Sequence, residues 1–207
     1  MTDVRTTYDR VADEYVSRIA GELQHKPLDR QLLDRFAERI GAGSACDMGC
    51  GPGHVARYLH DRGVSISGID LSPAMVARAR ALHPGIEFSQ GDMLALDAKD
   101  ASWTGIVAFY SVIHIPRPDV VRALHELRRT LQPGGLLFLA FHIGEDVLHR
   151  DEWWGHEVDI DFILFTSAEM IGYLEAAGFD VEETIERDPY PDVEHPSRRA
   201  YIVARKP

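Results

Sequence analysis

Asp47-Met48-Gly49-Cys50-Gly51-Pro52-Gly53 is the stretch on which the reading of the fold turns. Glycine is needed where a backbone bends tightly or passes close to a ligand, and here glycines recur at alternate positions. Ahead of them, Ala45-Cys46-Asp47-Met48 reads as a short buried strand; behind them, Gly53 to Arg62 carries Val55 and Leu59 at helical spacing. A strand that breaks at a glycine loop and continues as a helix is the opening unit of an open α/β sheet, whose ligands bind beyond the carboxyl ends of the strands where the strand order reverses. Asp70 closes the next strand, Val64 to Ile69. A carboxylate there can accept both hydroxyls of a ribose, so a nucleoside-containing ligand is expected across the first two strands.

The alternation continues outward. Ser72 and Pro73 supply an N-cap and a first-turn proline for a helix. Ile86 to Ser89 and Gly105 to Tyr110 read as the third and fourth strands. Pro118 to Leu131 is helical, with Val121, Leu124, Leu127 and Leu131 on its core face; Pro133-Gly134-Gly135 then turns the chain into a fifth strand, Leu136 to Phe141. Strands and helices in turn predict a doubly wound α/β fold: a parallel sheet, right-handed crossovers and helices on both faces. Its strands are apolar throughout because both sides are covered.

Toward the N-terminus, Tyr8, Val11, Ala12, Tyr15, Val16 and Ile19 form one stripe of an amphipathic helix, and a second helix follows Pro27 with Leu28, Leu32, Leu33, Phe36 and Ile40. Residues 143–166 hold His149, Asp151, Glu152, Trp153, Trp154, His156 and Glu157, and read as an inserted loop or lid. Ser167 to Ala177 is a helix ended by Gly178. Phe179 to Ile185 and Ala200 to Ala204 suit an antiparallel hairpin, joined by an exposed, proline-containing loop over 187–199. The pairs Arg128-Arg129 and Arg198-Arg199 read as solvated. The expectation is one domain over 1–207, with a helical cap over 1–42 and a lid over 143–166.

The 207 residues are 45% hydrophobic and 27% charged, with a formal net charge of −11. Such an acidic surface disfavours phosphate backbones and hence nucleic-acid partners. Cys46 and Cys50 are too few for a disulfide framework or a zinc site and are expected as reduced core thiols. The spacing of His142, His149, Asp151, His156 and Asp159 matches no metal-ligand pattern, so no metal is expected. The polar N-terminus has no signal core, and no apolar run approaches the roughly 20 residues of a membrane span. A cytoplasmic protein with no membrane partner is expected, either monomer or homodimer.

The ordered motifs point further. Asp47 to Gly53 resembles motif I of class I S-adenosylmethionine-dependent methyltransferases, and its G-x-G-x-G spacing differs from the G-x-G-x-x-G of dinucleotide sites. Asp70 to Met75 resembles that family's second-strand motif, Gly91-Asp92-Met93 its adenine turn, Phe109 to His114 its fourth-strand exit, and Leu131 to Gly135 its L-x-P-G-G turn. Tyr8 to Tyr15 resembles its Y-D-x-x-A-x-x-Y opening helix. The resemblance implies a Rossmann-like, mostly parallel seven-stranded sheet with an antiparallel last strand. It further implies S-adenosylmethionine bound by Tyr8, Tyr15, Asp47, Gly49, Gly51, Asp70, Leu71, Asp92, Met93 and Tyr110, with S-adenosylhomocysteine as product. The expected activity is methyl transfer to an O or N atom of a small molecule. His114 is the leading candidate for a base or an acceptor-positioning group, and His142 on the fifth strand is the second. The alternatives are a protein that binds S-adenosylmethionine without methyl transfer and, more remotely, an NAD-dependent oxidoreductase.

Overall fold

In the computed structural model, which describes residues 3–207, strands and helices alternate as the pattern requires. Helices α1 (Val4–Ile19) and α2 (Pro27–Ile40) precede the units β1 (Ser44–Met48), α3 (His54–His60), β2 (Ser65–Asp70), α4 (Pro73–Leu82) and β3 (Glu87–Gln90). Then come β4 (Trp103–Phe109), α5 (Arg117–Thr130), β5 (Leu131–His142), a pair β6 (Val147–Trp153) and β7 (His156–Ile163), α6 (Ser167–Ala176), β8 (Asp180–Arg187) and β9 (Arg199–Arg205). The main sheet has seven strands in the order β3-β2-β1-β4-β5-β9-β8. Strands β1 to β5 pair in parallel, and β9 runs antiparallel to both β5 and β8. The strand order reverses between β1 and β4, which places the crevice at their carboxyl ends.

Side chains alternate across a strand, and β5 divides accordingly. Leu137, Leu139 and Phe141 join the core under α5 and α6, whereas Leu136, Phe138 and Ala140 join the core under α2, α3 and α4. Local chemistry starts the helices where expected. Ser72 Oγ accepts from Met75 N at 3.1 Å ahead of Pro73, and Thr166 Oγ1 accepts from Glu169 N at 3.1 Å. Gly178 closes α6 at φ +83°.

Within these elements the structure departs from the sequence reading. Strand β5 begins at Leu131, before the Pro133-Gly134-Gly135 turn, because that turn is a register irregularity between the Trp103 and Gly105 pairings rather than the strand's start. Residues 143–166 contain an antiparallel ribbon in place of an irregular loop. One strand hides the other's period: Val158 and Ile160 of β7 are buried with Val11 of α1, while β6 is exposed through Glu152 and half-buried only at Trp153. Arg128 and Arg129 are also anchored rather than merely solvated. Arg128 Nε donates to Gly178 O at 2.9 Å, and Arg129 reaches Ala98 O, Leu96 O and the carboxylates of Glu126 and Asp100.

Phe138 sits mid-strand with its ring 4.8 Å from Phe109 and 5.9 Å from Phe36. Phe138→Ala is expected to lower unfolding free energy in urea by about 3–5 kcal/mol, the cost of lost burial plus a cavity; a loss below about 1 kcal/mol would show that this side of the sheet is loosely packed.

Candidate active site

Where β1 ends, Gly49 N and Cys50 N both donate to Ile69 O of β2, at 2.7 and 3.0 Å. Gly49 has φ +73° and Gly51 φ +51°, and a Cβ on Gly49 would stand 2.2 Å from Cβ of Ser111. The exits of β1 and β4 therefore approach more closely than any side chain permits. Ser111 Oγ completes the junction by donating to Met48 O at 2.7 Å. Cys46 and Cys50 are buried free thiols within this layer.

The glycine loop faces a carboxylate. Gly51 N donates to Asp70 Oδ2 at 2.8 Å, and Ser72 N donates to Oδ1 at 2.8 Å. Each oxygen keeps a lone pair for a further donor, and burial pushes the pKa of Asp70 up to about 6. Asp47, 2% exposed, accepts from Ala56 N at 3.0 Å, and burial pushes its pKa up to about 7. A buried and a half-buried carboxylate with raised pKa values at a glycine cradle fit a ligand that brings hydroxyl and ammonium donors. They suit a pyrophosphate poorly. Gly91 N donates to Asp70 O at 2.9 Å and stitches the β3 exit to this rim. There Asp92 is exposed, its Oδ1 accepting from Leu94 N at 2.8 Å, and Leu71 and Met93 are half-buried.

Helix α1 covers the cradle. Asp9 accepts from Ala74 N at 3.1 Å and from Ser72 Oγ, tying α1 to the start of α4. The rings of Tyr8 and Tyr15 meet edge to face at 5.6 Å. Tyr15 stands over the loop, with Cε1 3.7 Å from where a Cβ on Gly51 would be.

His114 lies in a short 3₁₀ turn after β4. Its Nδ1 is 2.9 Å from Asp161 O of β7, and a carbonyl only accepts, so Nδ1 carries the proton. Nε2 then accepts from the Tyr8 hydroxyl at 2.8 Å. Burial drives the pKa of His114 down to about 4, and both ring nitrogens are engaged. His142, at the end of β5, shares a 2.8 Å hydrogen bond between Nδ1 and Ser197 Oγ. Burial, then Arg199, drive its pKa down to about 3. Its Nε2 makes no hydrogen bond among the described residues, and the ring borders a cavity of about 480 Å³. Tyr110, strained at φ +54°, has its ring 4.9 Å from His142.

The cavity opens beyond the two tyrosines. Trp153 and Trp154, adjacent residues that a regular strand would turn to opposite faces, both line it and stack at 4.5 Å. Trp154 at φ +55° and Gly155 at φ +82° form the ribbon's turn, which folds one ring back onto the other. The opposite end is polar and was not legible as a site. Residues 187–199 are not simply an exposed loop: Glu194 turns inward, its side chain 1% exposed, and takes Arg187 Nη1 at 2.6 Å, Arg187 Nη2 at 2.9 Å and Tyr190 N at 2.8 Å. Lys26 Nζ is 3.4 Å from the same carboxylate and 2.7 Å from Glu22. Arg198 is exposed but Arg199 is 2% exposed and lines the cavity. Only its register opposite His142 separates it from its neighbour, and that register follows from the β5–β9 pairing. Among the described residues no cluster of His, Cys, Asp or Glu is placed to hold a metal ion, and no helix is long and apolar enough to cross a membrane.

Known proteins resemble this chain. A family model described as a methyltransferase domain matches residues 45–135. The chain is 29% identical over 164 residues to a Mycolicibacterium smegmatis protein named "Probable S-adenosylmethionine-dependent methyltransferase", covering 74% of this chain and 58% of that protein. It is 33% identical over 118 residues to a malonyl-[acyl-carrier protein] O-methyltransferase of Enterobacter lignolyticus, covering 55% and 46%. The chain thus spans about half the length of these relatives. A solved structure from Methanosarcina mazei, described as an S-adenosylmethionine-dependent methyltransferase, superposes with a TM-score of 0.72 at 18% identity, over 80% of this chain and 92% of that one.

The inward ion network generates a stability prediction. Burial works against ionised Glu194, but Arg187 and the other cations hold its pKa down to about 2, below the ordinary 4.5. Its contribution is therefore present above pH 4.5 and lost as pH falls toward about 2. At neutral pH, Glu194→Gln is expected to destabilise the fold by about 3–5 kcal/mol in urea, because it strands buried cations. At pH 3 the gap to the parent should narrow, and an equal gap at both pH values would refute the ionic account.

Proposed function

We propose, for a chain that belongs to the class I S-adenosylmethionine-dependent methyltransferases, that it transfers the cofactor's methyl group to an O or N atom of a small molecule. The observation that carries this reading is the juxtaposition at the switch point. The Gly49–Gly51 cradle and Asp70 share one hydrogen-bonded unit, and the covered cavity opens beside it, past Tyr8 and Tyr15.

S-adenosylmethionine, when bound, supplies a methyl group on a sulfonium, which is already a good leaving group. Asp70 would hold the ribose hydroxyls, and Asp47 with the Gly49–Gly51 backbone would receive the amino-acid end. Asp92, Met93 and Leu71 would border the base, with Tyr8, Tyr15 and Tyr110 closing the remaining faces. The chain's task is then to align an acceptor and exclude water, and orientation of that kind is worth about 7–11 kcal/mol. His114 acts by position: it fixes the Tyr8 hydroxyl against β7. His142 is the histidine with a nitrogen open to the cavity, and it would share a hydrogen bond with the acceptor. Neither imidazole is a strong base, since burial depresses both pKa values. The site therefore suits an acceptor atom whose lone pair is free at neutral pH.

Calorimetry with S-adenosylhomocysteine is expected to show binding and NAD none, and Asp70→Asn should weaken that binding by about 1–3 kcal/mol. Free Asp70 holds its proton below about pH 6. The ribose hydroxyls need the ionised form, so parental affinity should fall as pH drops through that value, by up to about tenfold per pH unit, and the variant should lose this step while keeping the one that Asp47 contributes near pH 7. No heat from S-adenosylhomocysteine at pH 8 would end the assignment.

His114→Phe is expected to lower turnover by roughly 10²-fold, as for a misplaced reacting group, while leaving S-adenosylhomocysteine affinity near the parental value. Labelled S-adenosylmethionine and a metabolite panel give the rate. Unchanged turnover would remove His114 from the reaction, and tight cofactor binding with no labelled product would favour a binding role.

A further inference from the structure

We propose, resting on the methyl-transfer reading, that the acceptor is a small carboxylic acid: its carboxylate is held by Arg199 beside Lys26, and its apolar body lies against Tyr8, Trp153 and Phe162. Arg199 is the first residue of β9, paired with His142 at the rim of the sheet. Its side chain is 3% exposed, and what exposure it has borders the cavity. Nη1 donates to the carbonyls of His195, at 3.1 Å, and Ser197, at 2.5 Å. Nε lies 3.1 Å from Glu194 Oε1 but is not aimed at it, so this buried N–H makes no hydrogen bond. Nη2 makes none among the described residues.

The acidic groups that line the cavity at this end, by contrast, have a partner on every oxygen; Asp29, whose Oδ1 is unpaired, does not line it. Both oxygens of Glu194 are taken by Arg187 and Tyr190 N. Those of Glu22 are taken by Lys26 at 2.7 Å and His54 at 3.2 Å. Donor capacity left over on a buried guanidinium is costly unless something supplies an acceptor. A planar carboxylate matches the fork of an arginine. The charges also set a limit. Lys26, Arg187 and Arg199 already face Glu22, Asp29 and Glu194. Cations and anions are thus equal in number, so a single negative charge is the smallest addition that uses the spare donors, and the second charge of a phosphate monoester would add only repulsion. In a chain of net charge −11 this concentration of inward cations does not follow from composition.

The remaining walls ask for an apolar body. Tyr8, Phe162 and Trp153 meet edge to face at 5.3 to 5.7 Å, and Ile113 and Leu164 continue the surface. At the mouth, Leu148 and Val193 are exposed apolar side chains, 36% and 45%. A volume of about 480 Å³ falls in the range of small-molecule sites, about 300–1,000 Å³.

The test compares hydrocinnamate, its neutral amide and phenyl phosphate by calorimetry on the full chain, free and saturated with S-adenosylhomocysteine. The acid is expected to bind about tenfold or more tightly than the amide in both states, the scale of one charge-assisted hydrogen bond. Arg199→Gln should erase that preference. Equal binding of acid and amide overturns the proposal, as does tighter binding of phenyl phosphate, an absence of heat from the acid, or a preference that survives in Arg199→Gln. Loss of acid binding on saturation also overturns it, because the subsite would then belong to the cofactor's own carboxylate. The acid–amide comparison in the parent chain needs no variant to fold. A silent S-adenosylhomocysteine titration with an intact acid preference would remove the methyl-transfer reading while leaving the carboxylate subsite in place.

Discussion

Everything at the crevice depends on the absence of a side chain at Gly49. Its backbone passes so close to Ser111 that β1 and β4 leave the sheet locked together, with Ser111 Oγ on Met48 O and the loop amides on Ile69 O. This close approach aims Gly51 N at Asp70, and so fixes a carboxylate at the point where a sugar would lie. A side chain at this position would separate the two strand exits and disperse the groups they bring together. The rest of the molecule maintains that one contact: parallel strands buried on both faces, and helices that seal them.

Two kinds of residue surround it, and the physics that positions them differs. The cradle residues are held by the backbone: each oxygen of Asp70 takes one amide, and Asp47 takes another. The acceptor side is held by side chains from distant segments. Tyr8 reaches His114, His142 reaches Ser197, and Glu194 gathers Arg187, Arg199 and Lys26. Backbone positioning preserves one ligand across many proteins, whereas side-chain positioning permits the acceptor to vary on the same scaffold.

That difference also decides what could be read from sequence. Strands β1 to β5, the glycine loop and Asp70 are signalled within short windows, by apolar runs, turn residues and spacing. The β6–β7 ribbon was missed because β6 carries the charged run Arg150-Asp151-Glu152 and gives no alternation. Arg199 and Glu194 were missed because neighbouring Arg198 and the prolines of 187–199 have the composition of a surface segment. Only tertiary pairing shows which of two adjacent arginines turns inward. Tyr8 and His114 could each be singled out alone, but their hydrogen bond spans 106 positions and no local pattern encodes it.

Helix α1 has a further property. Neighbouring residues on it are fastened to opposite banks of the crevice: Asp9 to the start of α4, and Tyr8 to the turn after β4. A clasp secured on both sides cannot peel from one edge, since withdrawing the helix releases both attachments together. Lifting this helix is thus a discrete, cooperative event, and any such movement uncouples Tyr8 from His114 as it frees Asp9 from α4.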